Sequence, residues 1–530
     1  MSAPSPRTRP TAAQVDLAVL LGLLALAAVL RLPDLATRGT WDADQGHDML
    51  VLRALVRDGT IPLLGPPTSI GDFHHGALYY YLLSPAAFLT RGDSPLAVTA
   101  EIALAGVAAV GVVWWLARSV AGSGAGFVAG LLMAVSSSAI DESTFIWNPN
   151  LIALTSSLAI AGAWRAWTTR RTRWWLLAAV GTAMTMQCHV LGVTLLPIIG
   201  ALLVADTRRR EPGQERRSAI GAGAAGLAII ALTYVPLVVN EATTGFAETL
   251  AALDWISGGG EGSALAPPVR FLVVLVRVVS WPLTGLVTDG PLAALLAVAL
   301  VAAIIVWRWR SEDGAERVAI RWLGLGLLWS AVFLTFAASG LGAVVPGLPN
   351  DHYHAFADPM VFTIIGVGAA AASRAWSRGR AGAAPGAVAV APLVVLTVAV
   401  VGLLAWNVVT QPPAVAADGG FPAADAAASR ILAGPHQATV ALRSLPAFKP
   451  PDTYGYPLVR AGTPVVPESD TGTLVILCDD LFAAAIGAPC GGPAETASLT
   501  ATPFRPSSTV EASEPFEAAP GRWITVVNVR

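Results

Sequence analysis

Charge is scarce in this sequence of 530 residues. Asp, Glu, Lys and Arg make up 13% of it, against roughly a quarter in an ordinary soluble domain. Lysine is almost missing: of 33 basic residues only Lys449 is a lysine. The net charge of −2 offers no basic surface for nucleic acid. With 54% hydrophobic residues, the same numbers exclude disorder, collagen and coiled coil. There is no sign of a cleavable leader, since the first apolar run, Val15 to Leu30, lacks a small-residue cleavage site and continues into Arg31-Leu32-Pro33. No internal repeat is visible, which weighs against an inverted-repeat transporter. Nor is there a Gly-rich phosphate loop of a doubly wound sheet, which weighs against a nucleotide-binding domain.

What the sequence does have is long apolar runs. A helix needs about 20 mostly apolar residues to cross a bilayer. Eleven stretches are candidates, near 15–31, 96–117, 121–139, 150–167, 174–189, 191–206, 218–239, 290–307, 321–340, 356–373 and 387–409. The fold class expected is a multi-span α-helical membrane protein with about eleven transmembrane helices. The stretch 268–287 carries Arg270, Arg277, Trp281 and Pro282 and reads as an amphipathic helix lying at the interface. A cytoplasmic N-terminus places 19 of the 33 basic residues on the inner side, from Arg7 and Arg9 to Arg374, Arg378 and Arg380. Counting 268–287 as a span would put Arg308 and Arg310 outside.

The expected organisation is therefore a membrane domain over 1–409, with long outer loops at about 32–95 and 240–289, and a soluble extracytoplasmic α/β domain over 410–530. In that tail hydropathy collapses, acidic residues outnumber basic ones eleven to seven, and strand-like runs occur at Thr439–Leu442, Thr473–Cys478 and Trp523–Val529. Cys478 and Cys490 both lie there and are expected to form a disulfide in an oxidising compartment, with Cys188 free.

Polar chemistry gathers on the outer side. Trp41-Asp42-Ala43-Asp44-Gln45-Gly46-His47-Asp48 is the densest cluster. A helix starting near Asp44 puts Asp44, His47 and Asp48 on one face. Such a face suits a general base or a divalent cation such as Mg or Mn, held by Asp44 and Asp48. The plainer reading is that Asp44 caps the helix and Asp42 is solvated. An irregular Gly/Pro loop, Gly65 to Gly76, then leads through His74 and His75 into Tyr79-Tyr80-Tyr81, which an interfacial aromatic belt also explains. His47, His74, His75, His189, His352 and His354 all map to the outer rim, and His436 to the tail. Arg31, Asp141, Glu142, Trp147 and Asn148 share that surface. Together they suggest one outer-facing polar cavity.

In this order, the Asp42-Ala43-Asp44 loop, the Gly65-Pro66-Pro67…Gly71…Gly76 stretch, Leu78-Tyr79-Tyr80-Tyr81-Leu82 and His352-Tyr353 resemble the GT-C glycosyltransferases. The nearest branch is the bacterial membrane enzymes similar to protein O-mannosyltransferases and aminoarabinose transferases. The resemblance covers roughly residues 15–375. It departs from the usual pattern in Gly76-Ala77-Leu78, where Gly-Pro-Leu or Pro-Pro-Leu is common. It implies a polyprenyl-phosphate sugar donor, transfer to a glycan, lipid or protein acceptor on the outer face of a bacterial plasma membrane, and an acidic catalytic residue in the first outer loop. By position that residue is Asp44, with Asp42 second. A phosphate leaving group needs donors or cations, and Arg31, His74, His75, Tyr80, His189, His352 and His354 are the candidates, with Trp147 and Asn148 for the acceptor. The competing functions are a transporter or flippase, and an assembly subunit that binds partners through its tail.

Overall fold

The computed structural model describes residues 11–68, 73–257, 265–343, 351–380, 387–501 and 509–529. Arg7, Arg9, Gly71 and the side chain of Arg380 lie outside the described residues. The chain begins with α1 (Ala12–Arg31), then two shorter helices, α2 (Ala43–Arg57) and α3 (Leu78–Thr90). Next come α4 (Pro95–Ala121), α5 (Ser123–Val135), α6 (Ser137–Asp141), α7 (Ile152–Thr169), α8 (Arg173–Cys188) and α9 (Leu195–Arg209). α10 (Gln214–Thr233), α11 (Val235–Thr244), α12 (Ala247–Ser257) and α13 (Pro267–Thr284) follow. α14 (Pro291–Arg308), α15 (Gly314–Ala337), α16 (Asp358–Arg380) and α17 (Ala387–Val409) complete the bundle.

Local sequence explains several starts. Thr11 and Gln14 form a reciprocal capping box on α1, and Ser94 accepts from Ala97 N–H ahead of Pro95 at the start of α4. Among the described residues, eight helices are long and apolar enough to cross a membrane, or nine if α10 and α11, bent by 45°, are one span. The chain is a multi-pass membrane protein. All eleven expected stretches are helical, but α5, α7 and α8 fall short of that length or hydropathy. The reason is position. α7 and α8 pack on each other inside the bundle, so they carry Thr155, Ser156, Ser157, Thr182 and Thr185, all buried. Glycine permits the approach: a Cβ on Gly181 would lie 2.4 Å from the Ala159 backbone nitrogen. Lipid offers no hydrophobic drive to join helices, so close packing of small residues supplies it. α16 is the centre of the bundle, 94% buried over its apolar window, whereas α1 is 11% buried and shows Leu17, Leu21 and Val29 outward.

α13, the stretch read as interfacial, is itself long and apolar enough to cross. From Arg277 onward it is buried, and its bonds go to one end of the bundle, the end where the tail emerges. Ser136 and Ser138 donate to the carbonyls of Pro282 and Trp281, and Asn407 and Trp406 to those of Leu283 and Thr284. It therefore runs against the tail-side helix ends rather than lying free on a surface. The opposite end collects arginines: Glu316 takes Arg308 and Arg374, and Arg118 pairs with Asp16.

After α17 the chain forms α18 (Gly420–Ala433), β1 (Ala441–Leu445), α19 (Asp452–Arg460), β2 (Thr473–Asp479), α20 (Ala483–Ile486), α21 (Pro493–Thr500), β3 (Val510–Ala512), β4 (Phe516–Ala519) and β5 (Arg522–Val529). The sheet order is β1-β2-β5-β3, with β4 also on β5, and only β1–β2 is parallel. β2, Thr473-Leu-Val-Ile-Leu-Cys-Asp479, is buried along its whole length, as a central strand must be. Cys478 and Cys490 are joined by a disulfide, and Cys188 is free and buried.

Candidate active site

The tail-side cluster is built on the first turn of α2. Asp42 is the cap: its Oδ1 accepts from Ala43 N–H at 2.8 Å, and Gln45 Oε1 accepts from Asp42 N–H at 2.8 Å. Asp44 is thus inside the helix and is not the cap, and Asp42 is not simply solvated. Arg522 Nη2 donates to Asp42 Oδ2 at 2.8 Å, and Lys449 Nζ lies 3.2 Å away. Burial pushes the Asp42 pKa up, but Arg522 and then Lys449 outweigh it and hold it below the ordinary value.

Asp44 is different. Its side chain is exposed, and its one hydrogen bond comes from Trp147 Nε1 at 3.2 Å. The surrounding protein, then the Asp42 carboxylate, raise its pKa, while Trp147, His47 and Lys449 pull it down. The water that reaches the carboxylate tempers the upward push. One turn on, His47 Nδ1 stands 3.1 Å from Asp452 Oδ2, and this bond raises the imidazole pKa. Asp48 points into protein. Its oxygens accept from Tyr79 (2.6 Å) and Tyr80 (2.9 Å), and burial lifts its pKa to about 7. Tyr80 is therefore a support for Asp48, whose two oxygens each already accept one tyrosine hydroxyl. Among the described residues no three His, Cys, Asp or Glu side chains form a group that would hold a metal ion.

From Trp147 a line of rings leads into the bundle. Trp147 and His352 have centroids 4.2 Å apart, His352 and His189 5.6 Å, His189 and His75 4.8 Å. Asp44, Trp147, His352, His189 and His75 are thus one continuous site. His75 is buried and its Nδ1 accepts from Val190 N–H at 3.3 Å. Burial, then His189 and His74, push its pKa well below 6.5, so it is a neutral donor rather than a cation. His189 Nδ1 accepts from Leu191 N–H at 3.2 Å, which fixes its ring at the end of α8. His74 is set apart, paired at 3.0 Å with Glu248 of α12.

Three candidates lie elsewhere or are already engaged. Arg31 is fully buried and donates to the carbonyls of Ala134 (2.8 Å) and Met133 (3.0 Å), ending α5. It borders a small cavity with Glu142, Asn150 and Asp358, whose lining includes none of these histidines. His354 Nε2 is 3.0 Å from Asp351, which also takes two bonds from Arg277 at 2.9 and 2.7 Å; all three are buried. Asn148 Nδ2 donates to the Cys188 carbonyl at 2.6 Å and is buried. Sequence reasoning missed Lys449, Asp452 and Arg522, which come from the tail. The one available signal was that Lys449 is the only lysine in the chain.

A model of the family described as dolichyl-phosphate-mannose-protein mannosyltransferase matches residues 74–249. Among solved structures, ArnT from Cupriavidus metallidurans is similar over 98% of both chains at 13% identity, with TM-score 0.57 in the apo state and 0.58 bound to undecaprenyl phosphate. AglB from Archaeoglobus fulgidus, solved with an inhibitory peptide and a dolichol-phosphate, matches at 13% identity and TM-score 0.49, over 89% of this chain and 70% of that one. No curated protein sequence matches. The chain has the fold of ArnT, a helical membrane bundle, with a small C-terminal sheet region.

Proposed function

We propose that this protein is a glycosyltransferase that moves a sugar from a polyprenyl-phosphate donor to an acceptor at the tail-side face of the membrane, with Asp44 as general base. The observation that carries the reading is the solvent-open Asp44 carboxylate, held by Trp147 at the mouth of the ring line that ends at His75. In the step proposed, the acceptor hydroxyl attacks the anomeric carbon and its proton passes to Asp44. The bond from that carbon to the phosphate oxygen breaks, and polyprenyl phosphate leaves. In this reading His352, His189 and His75 donate N–H to the phosphate, which favours charge where it develops; their ring contacts with one another support it. The fold shared with ArnT bound to undecaprenyl phosphate supports this donor class.

The orientation proposed is N-terminus cytoplasmic and tail extracytoplasmic in a bacterial plasma membrane. The arginines at the end remote from the tail support it. Asp42 is read as a structural partner and not as the base, because its oxygens already have cationic and hydroxyl partners. A divalent cation at this face is a separate proposal, and titration with Mg and Mn against a chelator tests it.

The test uses membranes containing the full chain and undecaprenyl-phosphate-linked mannose or aminoarabinose. Sugar should leave the donor with wild type and not with Asp44→Asn. Normal transfer by that variant overturns the reading, and lipid movement without sugar loss would favour a flippase.

A further inference from the structure

The contacts that hold α2 come from the far end of the sequence. Arg522, first residue of β5, donates to the Trp41 carbonyl at 3.0 Å as well as to Asp42. Lys449 bridges Asp42 and Asp479, and Arg522 also faces Asp479 at 3.6 Å and Asp418 at 3.8 Å. Thr453 Oγ1 donates to the second Asp42 oxygen at 3.1 Å, and Trp41 Nε1 returns a bond to the Thr453 carbonyl at 2.8 Å. Asp418 accepts from Thr40 Oγ1 at 2.6 Å and from Trp41 N–H at 2.8 Å. α19 lies on α2 so closely that a Cβ on Gly46 would sit 1.9 Å from the Asp452 carbonyl oxygen. Asp42, Lys449, Asp479 and Arg522 line a cavity of about 30 Å³ between the two parts. These are not surface ion pairs on mobile side chains, since Lys449 and Arg522 are 16% and 18% exposed.

We propose that Arg522 and Lys449 of the C-terminal domain are positioning residues for the transfer site: by holding the Asp42 cap they fix the first turn of α2 and with it Asp44. This inference rests on the reading of Asp44 as base. Only Ala43 separates Asp42 from Asp44, so whatever moves the cap moves the base. The charge balance points the same way. Two cations stand among three carboxylates, Asp42, Asp418 and Asp479. Removing one leaves negative charge uncompensated beside Asp44, which then holds its proton to higher pH. The other groups facing Asp44 are His47 and Asp48 on its own helix, Trp147 from the turn before α7, and Asp452 through His47.

The experiment measures Asp44 protonation without needing the sugar. The full chain in detergent is treated with a carbodiimide and an amine nucleophile across a pH series, and modification of Asp44 is quantified by peptide mass spectrometry. Protonated carboxyls react, so the midpoint reports the Asp44 pKa. Lys449→Met, which removes a cation that lowers the Asp44 pKa, should raise it by about one pH unit. Arg522→Met, which acts through the Asp42 cap, should raise it less, and Arg522→Lys, which keeps the charge but loses the Trp41 bond, should fall between Arg522→Met and wild type. Lower thermal stability with unmoved Asp44 midpoints in Lys449→Met and Arg522→Met would make the contacts merely structural and overturn the proposal. If Arg522→Met does not fold, Lys449→Met and Arg522→Lys decide it by the same criterion. The transfer assay separates the two readings. An active Asp44→Asn ends the base assignment and this positioning role with it. An inactive Asp44→Asn with unmoved midpoints ends only the positioning role.

Discussion

Two ionic clusters stand at the same end of the bundle and are built in opposite ways. In one, Arg277, Asp351 and His354 are buried, and Arg277 also bonds the carbonyls of Leu341 and Ala343. In the other, at the start of α2, Asp42 is saturated but Asp44 faces solvent with a single bond. A charge enclosed with all its partners holds helices together. A carboxylate with unused acceptor capacity, open to a ligand, can do chemistry. Histidines divide on the same principle: His354 is locked to Asp351, whereas His352 packs against Trp147 beside Asp44.

The strongest way to sharpen that contrast is Asp44→Asn. Asn keeps the shape and Asp42 keeps the cap, so folding should be unchanged. Transfer should fall by roughly a hundredfold to ten-thousandfold, the usual loss for a general base. Donor turnover measured beside thermal unfolding checks both halves. An unfolded variant would erase the distinction between the clusters.

Arg277→Met should do the reverse. It strands Asp351 in the interior, and breaking one partner of a buried pair costs about 3–5 kcal/mol. The expected outcome is loss of folded protein in detergent, read by size-exclusion chromatography and thermal unfolding, rather than an altered rate. A stable, slow enzyme would place this cluster in the chemistry.

These two sites also show what the sequence made legible. The helices could be read because apolar runs need no knowledge of partners, and the polar cluster around Asp44 stood out because it follows immediately after a span. Arg277 made α13 look interfacial, since its partner Asp351 is 74 residues away. Arg31 looked free to meet phosphate because the carbonyls it binds at the end of α5 lie 102 and 103 residues on. The hold of Arg522 on Asp42 spans 480 residues. Periodicity and spacing report neighbours along a helix or strand, and these pairings exist only after the helices pack.

A third prediction concerns the part that holds the site from outside the bundle. Cys490→Ser opens the loop to Cys478, 12 residues away. Loops of this size contribute about 3 kcal/mol. The loss should be confined to the tail, seen as faster amide exchange in β2, which carries Asp479 and so the Lys449 contact. Unchanged exchange in β2 would mean that the sheet is rigid without its bridge.

The smallest effect lies between the two clusters in character. Asp48 is buried like Asp351, but its partners are tyrosine hydroxyls rather than a guanidinium. Burial therefore wins and its pKa rises to about 7, from 3.8. The sign of the linkage follows. In the unfolded chain Asp48 ionises near its ordinary value, while in the folded chain it keeps its proton up to about pH 7. The folded state binds more protons across that interval, so the stability this group contributes is full below about pH 4 and is lost as pH rises toward 7. Asp48→Asn cannot ionise and should lack this component. The difference in melting temperature between wild type and Asp48→Asn should thus move against wild type from pH 4 to 7 and flatten above it. Tyr80→Phe removes one donor that favours the ionised form, so it should carry the wild-type decline to higher pH. A difference that stays constant with pH would show Asp48 ionised throughout, and the contrast with Asp351 would then disappear.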